Sequence, residues 1–183
     1  MRWPFNHFRK PPLTPRGTID AIYGMIVTQA REPLFYRDLG VPDTVNGRFD
    51  LIVLHLWMVL RRLGKIAGMT EPAQALFDRF CADLDDNLRE MAVGDLAVPK
   101  KMQAFGEAFY GRIAAYDVAL TDSPEALAQA ISRNVLDGGG IENARRIAAY
   151  ATAHIAALEN LDAAELTRAS WSFSLPRLEA VSP

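Results

Sequence analysis

Apolar positions recur along this chain at intervals of three and four, in successive runs separated by proline, glycine and polar residues. Such spacing places a stripe on one face of an α-helix. The first stripe is Ile19, Ile22, Tyr23, Ile26, Val27 and Ala30, in a helix expected to begin near Thr14, with Pro15 in its first turn, and to end at Pro33. A second helix is expected over about 48–67, after Asn46-Gly47. Its middle, Leu51 to Leu60, is apolar nearly all round, which marks a central helix touched on several sides. Leu76, Phe77, Phe80, Leu84, Leu88 and Met91 stripe a third helix, capped by Thr70 and stopped near Gly94. Pro99 opens a fourth, carrying Met102, Phe105, Phe109, Ile113, Tyr116 and Leu120. Ser123-Pro124 starts a fifth with Leu127, Ile131 and Val135. A sixth runs over about 141–159 with Ile147, Tyr150, His154 and Leu158. Asp162-Ala163-Ala164-Glu165 has the form of a capping box for one more short helix.

The intervening segments carry their own expectations. Residues 33–46 read as a long loop, packed on the body through Leu34, Phe35, Tyr36, Leu39 and Val41. Gly106 and Gly111 inside the fourth helix imply a close helix approach, since each costs about 1 kcal/mol relative to Ala there. Gly138-Gly139-Gly140 reads as a flexible hinge. The last residues read as an extended tail laid on the body through Trp171, Phe173 and Leu175. The fold class is all-α: a single compact bundle of about six helices with extended N- and C-terminal tails. Its divisions are a tail over 1–13, a helical domain over 14–168 and a second tail over 169–183.

Composition narrows the function. The chain has 183 residues, enough for one domain with a single core. A net charge of −2 is not built to neutralise nucleic acid, and no specific nucleic-acid partner is expected. The single cysteine, Cys81, excludes an internal disulfide framework and a cysteine zinc site, and reads as a small buried hydrophobe. The apolar run from Leu51 to Leu60, interrupted by His55, falls short of the roughly 20 residues of a membrane span. The first residues lack the apolar core of a secretory signal, so a cytoplasmic location is expected.

Catalytic constellations are missing from the pattern. There is no G-x-S-x-G, no phosphate-binding glycine loop and no paired His/Cys spacing. Asp83, Asp85 and Asp86 approach the D-D-x-x-D of helical magnesium-diphosphate enzymes, but Arg89 stands where the third aspartate belongs. A solvated acidic face with an Asp85–Arg89 pair accounts for them better. No catalytic residue, metal ligand or cofactor is assigned. His55 reads first as a hydrogen-bonded core histidine. A second reading makes the domain a carrier of a small hydrophobic ligand such as haem or quinone, in a pocket near that residue.

Surface chemistry remains. Asp83, Asp86, Asn87, Glu90 and Asp95 lie beside Lys100, Lys101, Tyr110 and Arg112 on one helical hairpin, a mix that suits protein recognition and equally serves to solvate the hairpin. In the N-terminal tail Arg2, Arg9 and Lys10 interleave with Trp3, Phe5 and Phe8. Cations with aromatics settle at anionic membrane surfaces; a frayed terminus that covers part of the body fits as well.

The order and spacing of several pieces resemble the ubiquinol–cytochrome c chaperone family. They are Leu34-Phe35-Tyr36 with Gly40-Val41-Pro42-Asp43-Thr44, then Gly47-Arg48-Phe49-Asp50 leading to His55-Leu56-Trp57, then Arg61, Leu63, Phe77, Phe80 and Asp83. The strongest are Leu88-Arg89-Glu90-Met91 with Gly94-Asp95, Val98-Pro99-Lys100-Lys101-Met102, and Phe109-Tyr110-Gly111-Arg112 with Tyr116. The resemblance implies an all-α, non-catalytic assembly factor for the cytochrome bc1 complex, with newly made cytochrome b as client. It also implies a ribosome contact, a small partner protein and a peripheral contact with the inner membrane. The lack of a mitochondrial targeting extension points to an alphaproteobacterial-type member, in which the ribosome and small-partner contacts need not persist.

Overall fold

The structure is a computed structural model, and it describes residues 16–91, 94 and 96–178. The tail residues Arg2, Trp3, Phe5, Phe8, Arg9 and Lys10, and also Asp95, lie outside that set. Among the described residues there are eight helices and no strand. Six are long: α1 (Arg16–Ala30), α3 (Val45–Gly64), α4 (Thr70–Glu90), α5 (Val98–Asp122), α6 (Pro124–Val135) and α7 (Ile141–Glu159). Two are single turns, α2 (Pro33–Arg37) and α8 (Ala163–Thr167). None is long and apolar enough to cross a membrane.

The helix ends follow local chemistry. Thr44 Oγ1 accepts from the Gly47 N–H at 3.1 Å, so α3 starts three residues earlier than its glycine pair suggests. Ser123 Oγ accepts from the Ala126 N–H at 3.1 Å, with Pro124 in the first turn. The capping box of α8 is present in full, with Glu165 N–H on Asp162 Oδ1 at 2.7 Å and Asp162 N–H on Glu165 Oε2 at 2.8 Å. Other expected boundaries shift as well. Pro33 opens α2 inside the expected loop, and α4 stops at Glu90, before Gly94.

Helix α3 is the axis. It touches α1, α4, α5, α6 and α7, and these five form a ring in which α1 meets α4, α4 meets α5, α5 meets α6 and α6 meets α7. From Leu51 to Leu60 every α3 residue but Ile52 is buried. Between α7 and α1 the wall is made by other pieces: α2, whose Phe35 is fully buried, and the extended segment after α8. That segment lies on the body through Trp171 and Phe173, as its aromatics imply. Leu175 is turned outward, 53% exposed, and Pro176 is buried in its place.

Three glycine readings separate here. A Cβ on Gly106 or Gly111 would meet nothing within 4 Å, so no close helix approach explains either residue. A Cβ on Gly47 would lie 2.0 Å from the Pro42 carbonyl oxygen, so the loop before α3 requires glycine there. The 138–140 run is pinned rather than loose. Gly138 N–H bonds Ser132 O at 2.8 Å, and Ser132 Oγ bonds Gly139 O at 2.9 Å. Gly106→Ala and Gly111→Ala should each stabilise the chain by about 0.5–1 kcal/mol, while Gly47→Ala should cost more than about 2 kcal/mol. Chemical denaturation of the three variants checks this ordering.

Candidate functional site

The α4–α5 hairpin carries the candidate surface. Its root is part of the main core: Phe77, Phe80 and Phe109 interlock with ring centroids 4.9–6.3 Å apart, and Phe49 of α3 lies 6.1 Å from Phe80 and 5.0 Å from Phe105. Its tip is different. Leu88 and Val98 are buried but stand outside the continuous core. At the same tip Met91 is 51% exposed and Leu96 is 99% exposed.

The expected site residues divide into two groups. Asp86, Asn87 and Glu90 on α4, Lys100 and Lys101 at the start of α5, and Tyr110 further along are all exposed. Asp83 and Arg112 are engaged inside the fold. Asp83 Oδ2 accepts from Tyr23 Oη at 2.9 Å, which ties α1 to α4, and burial with this bond pushes the Tyr23 hydroxyl far above its usual value. Asn87 Nδ2 donates to the Asp83 carbonyl oxygen at 2.6 Å. Asp85 pairs with Arg89, Nε to Oδ2 at 2.7 Å, as the four-residue spacing implies. Among the described residues no three His, Cys, Asp or Glu side chains converge as metal ligands would.

Arg112 reaches into α3. Its Nη2 lies 2.7 Å from Asp50 Oδ1, and its guanidinium sits 5.5 Å from the centre of the Phe49 ring. Asp50 Oδ1 has no well-aligned donor despite that approach, so charge attraction carries the contact. Burial pushes Asp50 up to about 6, against the downward pull of Arg112. Tyr116, one turn on, is fully buried with its hydroxyl unpartnered, and burial beside Asp50 pushes it well up. Gly47-Arg48-Phe49-Asp50 and Phe109-Tyr110-Gly111-Arg112 thus meet in space. A carboxylate next to an apolar run was the available signal, because a buried charge requires a partner.

Asp117 escaped the pattern. Its Oδ1 accepts from Trp57 Nε1 at 3.0 Å and Arg61 Nη1 at 2.6 Å. The basic end of α3 is therefore not explained by the helix dipole alone. Arg62 bonds the Leu161 carbonyl and Lys65 pairs with Glu159, both at 2.5 Å. Cys81 is half-buried, and burial raises its thiol to about 11, an inert thiol as expected.

His55 is a hydrogen-bonded core histidine, as its first reading has it. It is fully buried, with Nδ1–H donating to Leu51 O at 2.7 Å and Nε2 accepting from Tyr150 Oη at 2.8 Å. Both ring nitrogens are used, so no lone pair is open to a haem iron. Burial lowers it to about 4. A cavity does open beside the hairpin root, between Trp57, Leu60, Phe77, Phe109 and Ile113, but at about 70 Å³ it admits one small side chain rather than haem or quinone.

Residues 37–173 match the family described as Ubiquinol-cytochrome C chaperone. The chain belongs to this family. The match spans α3 to α8 and the whole hairpin. The crystal structure of the Cbp3 homolog from Brucella abortus is 33% identical and superposes with a TM-score of 0.78, covering 86% of this chain and 89% of that one. Ubiquinol-cytochrome-c reductase complex assembly factor 1 of Xenopus laevis is 28% identical over 105 residues, 56% of this chain and 52% of that protein. Protein CBP3, mitochondrial, of Saccharomyces cerevisiae is 26% identical over 158 residues, 81% of this chain and 47% of that protein. The chain spans about half the length of these two relatives. As a member of the Ubiquinol-cytochrome C chaperone family it has the all-α fold that its residues implied.

Two outcomes follow for the Asp50–Arg112 pair. Arg112→Ala leaves a buried carboxylate uncompensated and should cost about 3–5 kcal/mol in denaturant unfolding. On acidification, His55 loses stability from about pH 6.5 down to about 4, because the unfolded chain takes up its proton first. Asp50 acts in the opposite sense, since its raised folded value makes the native state take up a proton before the unfolded one. Asp50→Asn should therefore show a steeper loss of stability between pH 6.5 and 4 than the unaltered chain; equal slopes would contradict the raised value of Asp50.

Proposed function

We propose that this chain is a non-catalytic assembly factor that binds newly made cytochrome b and promotes assembly of the ubiquinol–cytochrome c reductase (bc1) complex. The observation that carries the reading is the family match across the entire hairpin, joined to relatives named as reductase-complex assembly factors. The docking face is the accessible part of the hairpin: Asp86, Asn87, Glu90, Lys100, Lys101 and Tyr110; Asp95, outside the described residues, belongs to the same reading. Opposite charges around exposed apolar residues give orientation as well as contact. Asp83 and Arg112 hold that face from behind. The client lies in the membrane, so the protein works at the inner membrane surface, with the basic, aromatic N-terminal tail as its peripheral contact. A ribosome contact and a small partner protein belong to the same reading.

Deleting the gene should lower the amount of assembled bc1 complex on native gels, and normal levels in the deletion strain would sink the reading. Replacing Lys100 and Lys101 by Glu should reduce cytochrome b recovered by crosslinking pull-down from native membranes by roughly tenfold, with helical content unchanged. Unaltered recovery would move the docking face off the hairpin.

A further inference from the structure

The wall between α7 and α1 is built unlike the rest of the ring. Beside α2 it is one extended segment of chain, and that segment is gripped at a single residue from both sides. Ser174 N–H donates to His154 Nε2 of α7 at 3.2 Å, and the Ser174 carbonyl oxygen accepts from Gln29 Nε2 of α1 at 2.9 Å. Ser174 Oγ reaches the same His154 nitrogen at 3.1 Å. One residue earlier, the Phe173 ring enters between His55, at 5.1 Å, and His154, at 5.2 Å, both edge-on. Trp171 closes over Phe173 at 5.3 Å. An extended backbone read at both its donor and its acceptor, with an aromatic side chain in an adjoining socket, is how a protein recognises a peptide.

The grip is also local. The backbone groups of Ser174 are bonded to side chains, and Phe173 is only half-buried. The segment leaves α8 through Ala169, a non-glycine residue at φ +52, a left-handed conformation that disfavours a Cβ. The slot beneath is lined by Gln29, Phe35, His55, Tyr150 and His154. None carries charge near neutral pH, because burial lowers both histidines and raises Tyr150. Its natural occupant is an uncharged stretch.

We propose that this slot is a peptide-binding site. In this structure the chain's own C-terminal segment closes it. It accepts in exchange an extended, uncharged segment of a partner protein that carries an aromatic residue directly before the gripped amide. The inference stands apart from the role of the hairpin, which uses other helices.

A fluorescent peptide of residues 169–178 is the probe, titrated against full-length chains. In the unaltered chain the tethered segment competes, so apparent affinity is reduced by the fraction of open slot. Phe173→Ala and, separately, Ser174→Pro loosen the tethered copy without touching the slot. Each should bind the peptide at least roughly tenfold tighter than the unaltered chain. Adding His154→Ala should abolish that gain. No binding to either folded variant, or equal binding to variants and unaltered chain, overturns the proposal. Hydrogen exchange on the unaltered chain gives a check that needs no variant. The Ser174 amide should exchange faster than the slowest α7 amides, and exchange only through global unfolding would show that the segment is a fixed part of the core.

Discussion

The burial of α3 on all its sides is the constraint from which the rest follows. A helix apolar around its circumference has no face for water, so five other helices and an extended segment must enclose it. Asp50 and His55 lie within that enclosure, and each has a partner on another helix: Asp50 the guanidinium of Arg112 on α5, and His55 the hydroxyl of Tyr150 on α7. Apolar contact alone would let α5 and α7 slide along α3 at modest cost. Bonds to fixed points on α3 set their register, because a slip would leave a buried carboxylate or imidazole unpaired.

The hairpin draws its position from that register. Arg112 is bound inward, so the exposed charges ahead of it on α5 face outward at a set angle. On α4 the Tyr23–Asp83 bond does the same from the α1 side. Two residues that look like surface charge in the sequence thus orient the ones that are surface charge. This division fits the docking role proposed for the hairpin, where geometry is needed over a wide area rather than at a single atom.

Much of the fold was legible in the sequence because three-and-four spacing reports directly on helix faces. The stripes of α1, α6 and α7 are buried nearly as their spacing implies, and the capping box marks α8 to the residue. What escaped depends on residues distant along the chain. The Asp50–Arg112 and Arg61–Asp117 pairs join positions dozens of residues apart, and no local pattern announces them. Gly106 and Gly111 misled because the cost of glycine in a helix is local while its reason, if steric, is tertiary. The α2 turn hid inside a proline-led loop. Of the candidate site, the exposed residues were legible by composition, while Asp83 and Arg112 could not be told from them without knowing which way each helix turned.

Leu88 and Val98 are each buried without joining the continuous core, and this has a consequence for dynamics. Side chains outside that core share fewer of the bundle's contacts, so the end of α4 and the start of α5 open at lower free energy than α3. Those two helix ends can therefore open locally while α3 stays enclosed. The same sequence supplies a rigid body and, at its far end, an adaptable one.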